Sequence, residues 1–198
     1  GYGFLAEQAS FAEACVAAGI QLISPPAAVL TTLRNKVYAL QVAQEAGFKV
    51  PPHSAQLFSA DAQADMLALA DAVGYPIIIK SCCGGRGRGA RLVYSEAELA
   101  SKTAQAQREA RQVYGDDRLY LEHAILPAHN ITVQILADTQ GNVIHLGERE
   151  GSVLFNSQKV LEESPAPCLN QQQRVALWEQ AVKLARLFNY QGAGGVEF

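Results

Sequence analysis

The run Cys83-Gly-Gly-Arg-Gly-Arg-Gly89 places four glycines and two arginines within seven residues, the densest candidate chemistry in the chain. Glycine lets backbone N–H groups close on an anion with no Cβ in the way, and the arginines add positive charge, so the natural guest is a phosphate. The flanking residues decide which kind of phosphate loop this is. A Walker loop needs Gly-Lys-Ser/Thr with a helix after it, and a dinucleotide fingerprint also opens a helix. Here Ala90-Arg-Leu-Val-Tyr94 follows and reads as a strand, while Lys80 ends the strand-like run Pro76-Ile-Ile-Ile-Lys80 that enters the loop. The pattern is a glycine-rich hairpin tip with a lysine at its entry. Its plain alternative is a flexible turn carrying solvated arginines.

Other reactive residues are less organised. Cys15, Cys82, Cys83 and Cys168 lack metal-ligand spacing and two are adjacent, so the spacing suggests neither a zinc site nor a disulfide framework, and a reducing compartment fits. Cys82-Cys83 beside Arg86 reads as small residues tolerated in a tight loop, with a reactive thiol pair as the alternative. His53, His129 and His145 have no i,i+4 partner and no carboxylate constellation, so they are read as surface or internally satisfied histidines.

These residues need elements to position them. The chain has 198 residues, 49% hydrophobic and 18% charged, with a net charge of −3 and a pI near 5.8. That composition excludes disorder and collagen and gives no electrostatic reason to expect nucleic acid as a partner. No apolar run approaches the roughly 20 residues a membrane helix requires. The start at Gly1-Tyr-Gly and the strand-like end at Gly195-Val-Glu-Phe198 suggest a cut chain with exposed apolar surface.

A first helix carries Phe11, Ala14, Cys15 and Ala18 on one face and stops at Gly19; Ile20–Ile23 then reads as a short strand. Of two further helices, the second runs from about Asn35 to Ala46, and Pro51-Pro52 marks a boundary. Met66, Leu69, Ala70 and Val73 define the next helix, with Ser59 as N-cap. Ser95-Glu-Ala-Glu98 is a capping-box signature for a helix to about Val113, followed by the strand Arg118–Glu122. Ile131–Ile135 and Val143–Leu146 flank the turn Asp138–Asn142 as an antiparallel hairpin. A polar segment to Pro167 leads to a helix from Asn170 to about Phe188, with Val175, Trp178, Val182 and Ala185 on one stripe. The class is α+β with antiparallel strands.

The combination of Gly1-Tyr-Gly-Phe-Leu-Ala-Glu7, Asn35-Lys36, Gly74-Tyr-Pro-Ile-Ile-Ile-Lys80, the glycine loop, Leu146-Gly-Glu-Arg149, Gln158-Lys159-Val-Leu-Glu-Glu163-Ser-Pro-Ala-Pro and Gly192-Ala-Gly-Gly-Val-Glu-Phe198 resembles the biotin carboxylase family of ATP-grasp enzymes, in order and spacing across the whole chain. The resemblance implies a partial ATP-grasp fold. The end of an N-terminal domain would occupy residues 1–50, the α/β ATP lid 51–124, and the first part of the antiparallel catalytic sheet 125–198.

It also implies roles. Lys36 and Lys80 match lysines that bind ATP phosphates, together with Gly84, Gly85, Gly87, Arg88 and Gly89 of the loop. Glu122, His123 and Ile125 match the adenine-binding stretch, with His123 in place of the usual lysine. Glu197 matches the first of two carboxylates that bind Mg2+ or Mn2+, and Lys159 matches the lysine that helps hold bicarbonate. The implied reaction activates bicarbonate with Mg-ATP as carboxyphosphate and carboxylates biotin on a carrier domain. A carboxyltransferase subunit or domain would be a further partner, with no nucleic acid and no membrane. The full-length protein would be an oligomer in the cytoplasm, or in the mitochondrial matrix or plastid of a eukaryote. The family's second metal carboxylate, its base and an essential arginine would lie past Phe198, so the isolated chain is expected not to turn over.

Departures from the family pattern gather near the same chemistry. A usual Gln-Arg-Arg-His run is Leu154-Phe-Asn-Ser157 here; a nucleotide-touching histidine is Asn130, and an acidic residue two further on is Thr132. Cys83 and Arg86 stand at usual glycines, and Ala90 at a usual methionine. Two alternatives therefore accompany the carboxylase reading: an ATP-grasp ligase with another acceptor, and a nucleotide-binding pseudoenzyme within a carboxylase assembly.

Overall fold

The computed structural model describes residues 3–58, 63–83, 89–155 and 158–198, with backbone only at Phe4, Gln63 and Ala64. Its helices are α1 (Ala9–Ala17), α2 (Ala27–Arg34), α3 (Lys36–Glu45), α4 (Gln63–Val73), α5 (Glu96–Tyr114) and α6 (Gln171–Leu187). Its strands are β1 (Ile77–Ser81), β2 (Arg91–Val93), β3 (Leu119–His123), β4 (Ile131–Ala137), β5 (Val143–Phe155), β6 (Gln158–Glu163) and β7 (Gly192–Glu197). They form two compact units, residues 34–127 and residues 1–33 with 128–198. Every strand pair is antiparallel, as the α+β reading expects.

In the 34–127 unit β1 is the central strand of the order β2-β1-β3. One face buries Ile77, Ile79, Val93, Leu119 and Leu121 against Met66, Ala70 and Val73 of α4 and Leu99, Ala106 and Ala110 of α5. Each large apolar side chain so buried contributes about 1.5–3 kcal/mol. Because side chains alternate along a strand, Ile78, Lys80, Tyr120 and Glu122 share the other face. Asn35 caps α3 through its side chain, which accepts from Tyr38 N at 3.2 Å. Gly115 ends α5 at φ 69°, a conformation that suits a residue without Cβ.

The second unit holds the order β6-β5-β4-β7. Val133, Ile135 and Ala137 of β4 and Val143 of β5 pack on Ala181 and Ala185 of α6, with Trp178, Val182, Val196 and Phe198 half-buried around them. Asn170 and Gln173 form a reciprocal capping box at the start of α6. Asp138 holds the β4–β5 turn by accepting from Gln140 N at 2.8 Å and Asn142 N at 2.9 Å.

Several local expectations are corrected. Ile20–Ile23 is not a strand: among the described residues nothing pairs with it, and an unpaired strand leaves its backbone groups unsatisfied. On α1 the buried residues are Ala12 and Cys15, while Ala14 and Ala18 are exposed. Ser95 precedes α5 without capping it through its side chain; Glu98 instead accepts from Tyr94 N at 3.1 Å and pairs with Lys102. The segment read as polar up to Pro167 contains the second half of β5 and all of β6. Charge at Glu148, Arg149, Glu150, Glu162 and Glu163 masked the alternation. Exposed apolar surface is present at Leu146, Leu154, Phe155, Val160 and Leu161. Ser59 as a cap, and Asn156-Ser157, fall outside the described residues.

Candidate functional site

Sheet register brings the first pair of predicted residues together. Lys80 pairs with Tyr120 and Ile78 with Glu122 across β1 and β3, so Lys80 lies diagonal to Glu122 on one face. Lys80 Nζ forms an ion pair with Glu122 Oε2, and Tyr120 Oη donates to Glu122 Oε1 at 2.7 Å. Glu122 is only 6% exposed, so a cation and a hydroxyl offset the cost of burying its charge. Burial, with Glu122's charge and hydrogen bond beside it, drives the Tyr120 phenol well above its usual range and keeps it a donor. Tyr120 was not singled out by sequence; its signal is its place two residues before Glu122 on the same strand.

The stretch expected to flank adenine is well anchored. His123 N donates to Pro52 O at 2.8 Å, and its Nδ1 lies 2.8 Å from Gly74 O. A carbonyl only accepts, so Nδ1 carries the hydrogen and the ring faces Gly74. Ile125 is exposed. Lys36 is the first residue of α3 and half-buried. Gly89, at φ 79°, adopts a conformation that L side chains rarely take. Gly84, Gly85, Gly87 and Arg88 lie outside the described residues.

The second pair is on the face of the β4–β7 sheet opposite α6. Glu197 pairs with Thr132 in register, and Thr132 with Arg149. Lys159, reaching over from β6, donates to Glu197 Oε1 at 2.8 Å and to Thr132 Oγ1 at 3.3 Å. Glycines make this possible: a Cβ on Gly195 would meet Thr132 Cγ2 at 2.9 Å. Arg149 donates from Nε to Glu162 at 2.8 Å and from Nη1 to Gln134 at 3.1 Å, and Gln134 Nε2 donates to Gly194 O at 2.6 Å. The Glu197 carboxylate, with hard oxygen donors and an exposed side chain, suits a cation of the magnesium class shared with phosphate oxygens.

Glu148 serves the other face. It is 3% exposed and accepts from Arg174 Nε at 2.7 Å, Trp178 Nε1 at 2.6 Å and Ala166 N at 3.1 Å. Burial opposes its ionisation, but the Arg174 and Trp178 hydrogen bonds prevail and hold it below the usual carboxylate range. It therefore fastens α6 to β5. The 26 residues separating Glu148 from Arg174 hide this partnership from any local pattern.

Among the histidines, His145 stacks on Trp178 with ring centroids 4.5 Å apart. His129 does have a carboxylate partner, correcting the sequence reading: its Nδ1 is 2.5 Å from Glu150 Oε1. Cys82 and Cys83 place their sulfurs 3.2 Å apart beside Asp116, whose carboxylate accepts from Arg118.

Two antiparallel sheets, each packed on helices on one face and carrying paired lysine and carboxylate groups on the other, define an α+β protein suited to holding anions and a hard cation. Residues 35–198 match the carbamoyl-phosphate synthase L chain, ATP binding domain family, and residues 1–30 match the biotin carboxylase N-terminal domain. The chain therefore belongs to the carbamoyl-phosphate synthase L chain ATP-binding domain family, in which its relatives are ATP-grasp biotin carboxylases. It is 42% identical to the biotin carboxylase of Nostoc sp. over 198 residues, all of this chain and 44% of that protein. It is similar to the biotin carboxylase-beta-gamma-ATP complex from Campylobacter jejuni with a TM-score of 0.93 and 41% identity, covering 100% of this chain and 44% of that one. The biotin carboxylase domain of Hydrogenobacter thermophilus 2-oxoglutarate carboxylase, in complex with MgADP, ADP and bicarbonate, has a TM-score of 0.92 and 37% identity over 100% of this chain and 43% of that one. The chain thus spans less than half the length of each. Among the described residues no helix is long and apolar enough to cross a membrane.

Proposed function

We propose that this chain is the ATP-binding part of a biotin carboxylase, which uses Mg-ATP and bicarbonate to carboxylate biotin on a carrier domain. The observation that carries the reading is the meeting of Lys159 with Glu197 and Thr132, residues far apart in sequence, on the open face of one sheet. Mg-ATP supplies the phosphoryl group that activates bicarbonate when both are bound. The residues present fit these groups. Lys36, Lys80 and Arg88 neutralise polyphosphate, and Gly84, Gly85, Gly87 and Gly89 offer it backbone N–H groups; Glu122, His123 and Ile125 flank the base; Glu197 contributes a metal oxygen; Lys159 holds the bicarbonate anion. The protein's contribution is placement of anions against fixed cations rather than covalent chemistry. With the reading go a division at about residues 50 and 124, a carrier domain and carboxyltransferase as partners, and an oligomeric full-length protein.

A second reading, a ligase with another acceptor or a nucleotide-binding pseudoenzyme, is favoured by one observation. Leu154 and Phe155 are exposed apolar side chains where the family usually carries a glutamine and an arginine. ADP release by the intact protein with ATP, Mg2+ and bicarbonate, with and without free biotin, separates these. Biotin-stimulated release that Lys159→Ala abolishes supports the carboxylase. Release indifferent to biotin points to another acceptor, and ATP binding without release points to the pseudoenzyme.

A further inference from the structure

We propose that His129, Glu150 and Cys168 form a zinc-binding site on the α6 side of the β4–β7 sheet. The three come from separate places in one compact unit: His129 just before β4, Glu150 within β5, and Cys168 between β6 and α6. One ring nitrogen, one carboxylate oxygen and one sulfur lie within 4.8 Å of one another. Ligands on a tetrahedral zinc sit about 2.0–2.3 Å from the ion and hence roughly 3.3–3.8 Å apart. Only small side-chain movements separate the trio from that geometry.

The donors suit this metal. Nitrogen, sulfur and oxygen together match a borderline cation better than a hard one, and three protein ligands leave a fourth position for water. Glu150 and a Cys168 thiolate would supply two negative charges to a dication. Glu150 is aimed by a neighbour that is not itself a ligand: Ser152 Oγ donates to Oε1 at 2.8 Å and accepts from Asn130 N at 3.0 Å. His129 and Cys168 are exposed, giving an ion a path from solvent.

On binding, the Cys168 thiol releases its proton to solvent as the sulfur–metal bond forms. His129 gives up the hydrogen that Nδ1 directs at Glu150, its ring taking the Nε2–H tautomer, and the freed Nδ1 lone pair binds the ion. Glu150 shares the α6 side of β5 with Glu148, whereas Arg149, Lys159 and Glu197 occupy the opposite face, so the sheet separates this site from the anion-binding one. An ion here would fasten the segment leading into the Asn170 cap of α6 to β4 and β5. The cluster of Cys82, Cys83 and Asp116 is a poorer host. Arg118 occupies both Asp116 oxygens and brings a positive charge, and Cys82 is buried.

The test uses the intact protein, stripped of metal by a chelator and titrated with Co2+ as a spectroscopic probe. The expected result is a cobalt–thiolate charge-transfer band saturating at one ion per chain and displaced by Zn2+. It should be lost in Cys168→Ser, weakened at least tenfold in His129→Gln, and unchanged in the double variant Cys82→Ser, Cys83→Ser. Zn2+ should also raise the melting temperature of the wild type but not of Cys168→Ser. Circular dichroism of the metal-free variants checks folding, and His129→Gln, on an exposed loop, serves if Cys168→Ser fails to fold. Absence of the band, its survival in Cys168→Ser or undiminished in His129→Gln, or its loss in the double variant overturns the proposal. None of these readouts depends on ATP or biotin turnover.

Discussion

Gly151 lies directly beneath the side chain of Lys159: a Cβ built there would approach Lys159 Cδ to 2.7 Å and Cε to 3.1 Å. The lysine stem crosses the glycine, and this is how Nζ reaches Glu197 and Thr132. Gly151→Ala should therefore displace Nζ with little damage to the fold, since the stem is flexible, at about 1 kcal/mol or less. On the proposed reading Lys159 sits at the reacting anion, where a misplaced charge costs far more, so bicarbonate-dependent turnover of the full-length protein should fall about 100-fold. Urea unfolding and ADP-release kinetics on the same preparation check both halves, and unchanged turnover would show that the position of Lys159 is unimportant.

Arg174→Ala should be among the most destabilising single changes in the 128–198 part of the chain. It strips the cation from Glu148, whose side chain is 1% exposed, at a cost of about 3 kcal/mol or more. Glu162→Ala removes the partner of Arg149 on an exposed pair and should cost under about 1 kcal/mol. Denaturant midpoints of the two variants should differ accordingly.

Lys80→Ala should weaken ATP binding by about 10–100-fold, the worth of one charge-assisted contact. It also leaves buried Glu122, among the described residues, with Tyr120 alone, so the double variant Lys80→Ala, Glu122→Gln should recover stability without recovering affinity. Isothermal titration and thermal melts separate the two effects.

Hydrogen bonds from Arg118 hold the Asp116 carboxyl well below the usual carboxylate range despite partial burial. With a depressed folded value, its stabilisation is complete above the unfolded value, about 3.9. It is then lost as pH falls toward the folded value. Asp116→Asn should flatten the acid side of the melting-temperature profile below about pH 4 while lowering stability at neutral pH. A parallel displacement of the whole curve would count against this assignment.

Burial, reinforced by the Cys83 thiol, pushes Cys82 up to about 12, so it stays a thiol at neutral pH. Iodoacetamide at pH 8 should leave Cys82 unmodified in the native protein and label it fully in urea, read by mass spectrometry of the peptide. This favours the plain reading of the Cys82-Cys83 pair over a reactive one.

Much of the fold was legible because its signals are local. Glycines at helix ends, the Asn170 cap with Gln173, the Asp138–Asn142 turn and the period of Met66, Ala70 and Val73 each specify structure within a few residues. The two strands on either side of the glycine run, with Lys80 in the first, were legible for the same reason. The errors have local causes as well: Ile20–Ile23 has strand composition but no neighbour to pair with, and β6 has a neighbour but a composition dominated by charge.

Residue types and order along the chain determined the secondary elements, the family resemblance and the chemistry on offer. Tertiary structure decided which groups meet. Lys80 and Glu122 are 42 residues apart and Lys159 and Glu197 are 38 apart, and strand register makes each pair neighbours. Glu148 finds Arg174, and His129 and Cys168 find Glu150, only because β5 lies beneath the segment that opens α6. Pairing across a sheet depends on closing long loops, whose entropy is repaid only when the whole face is buried. No local pattern in the residues can record that outcome.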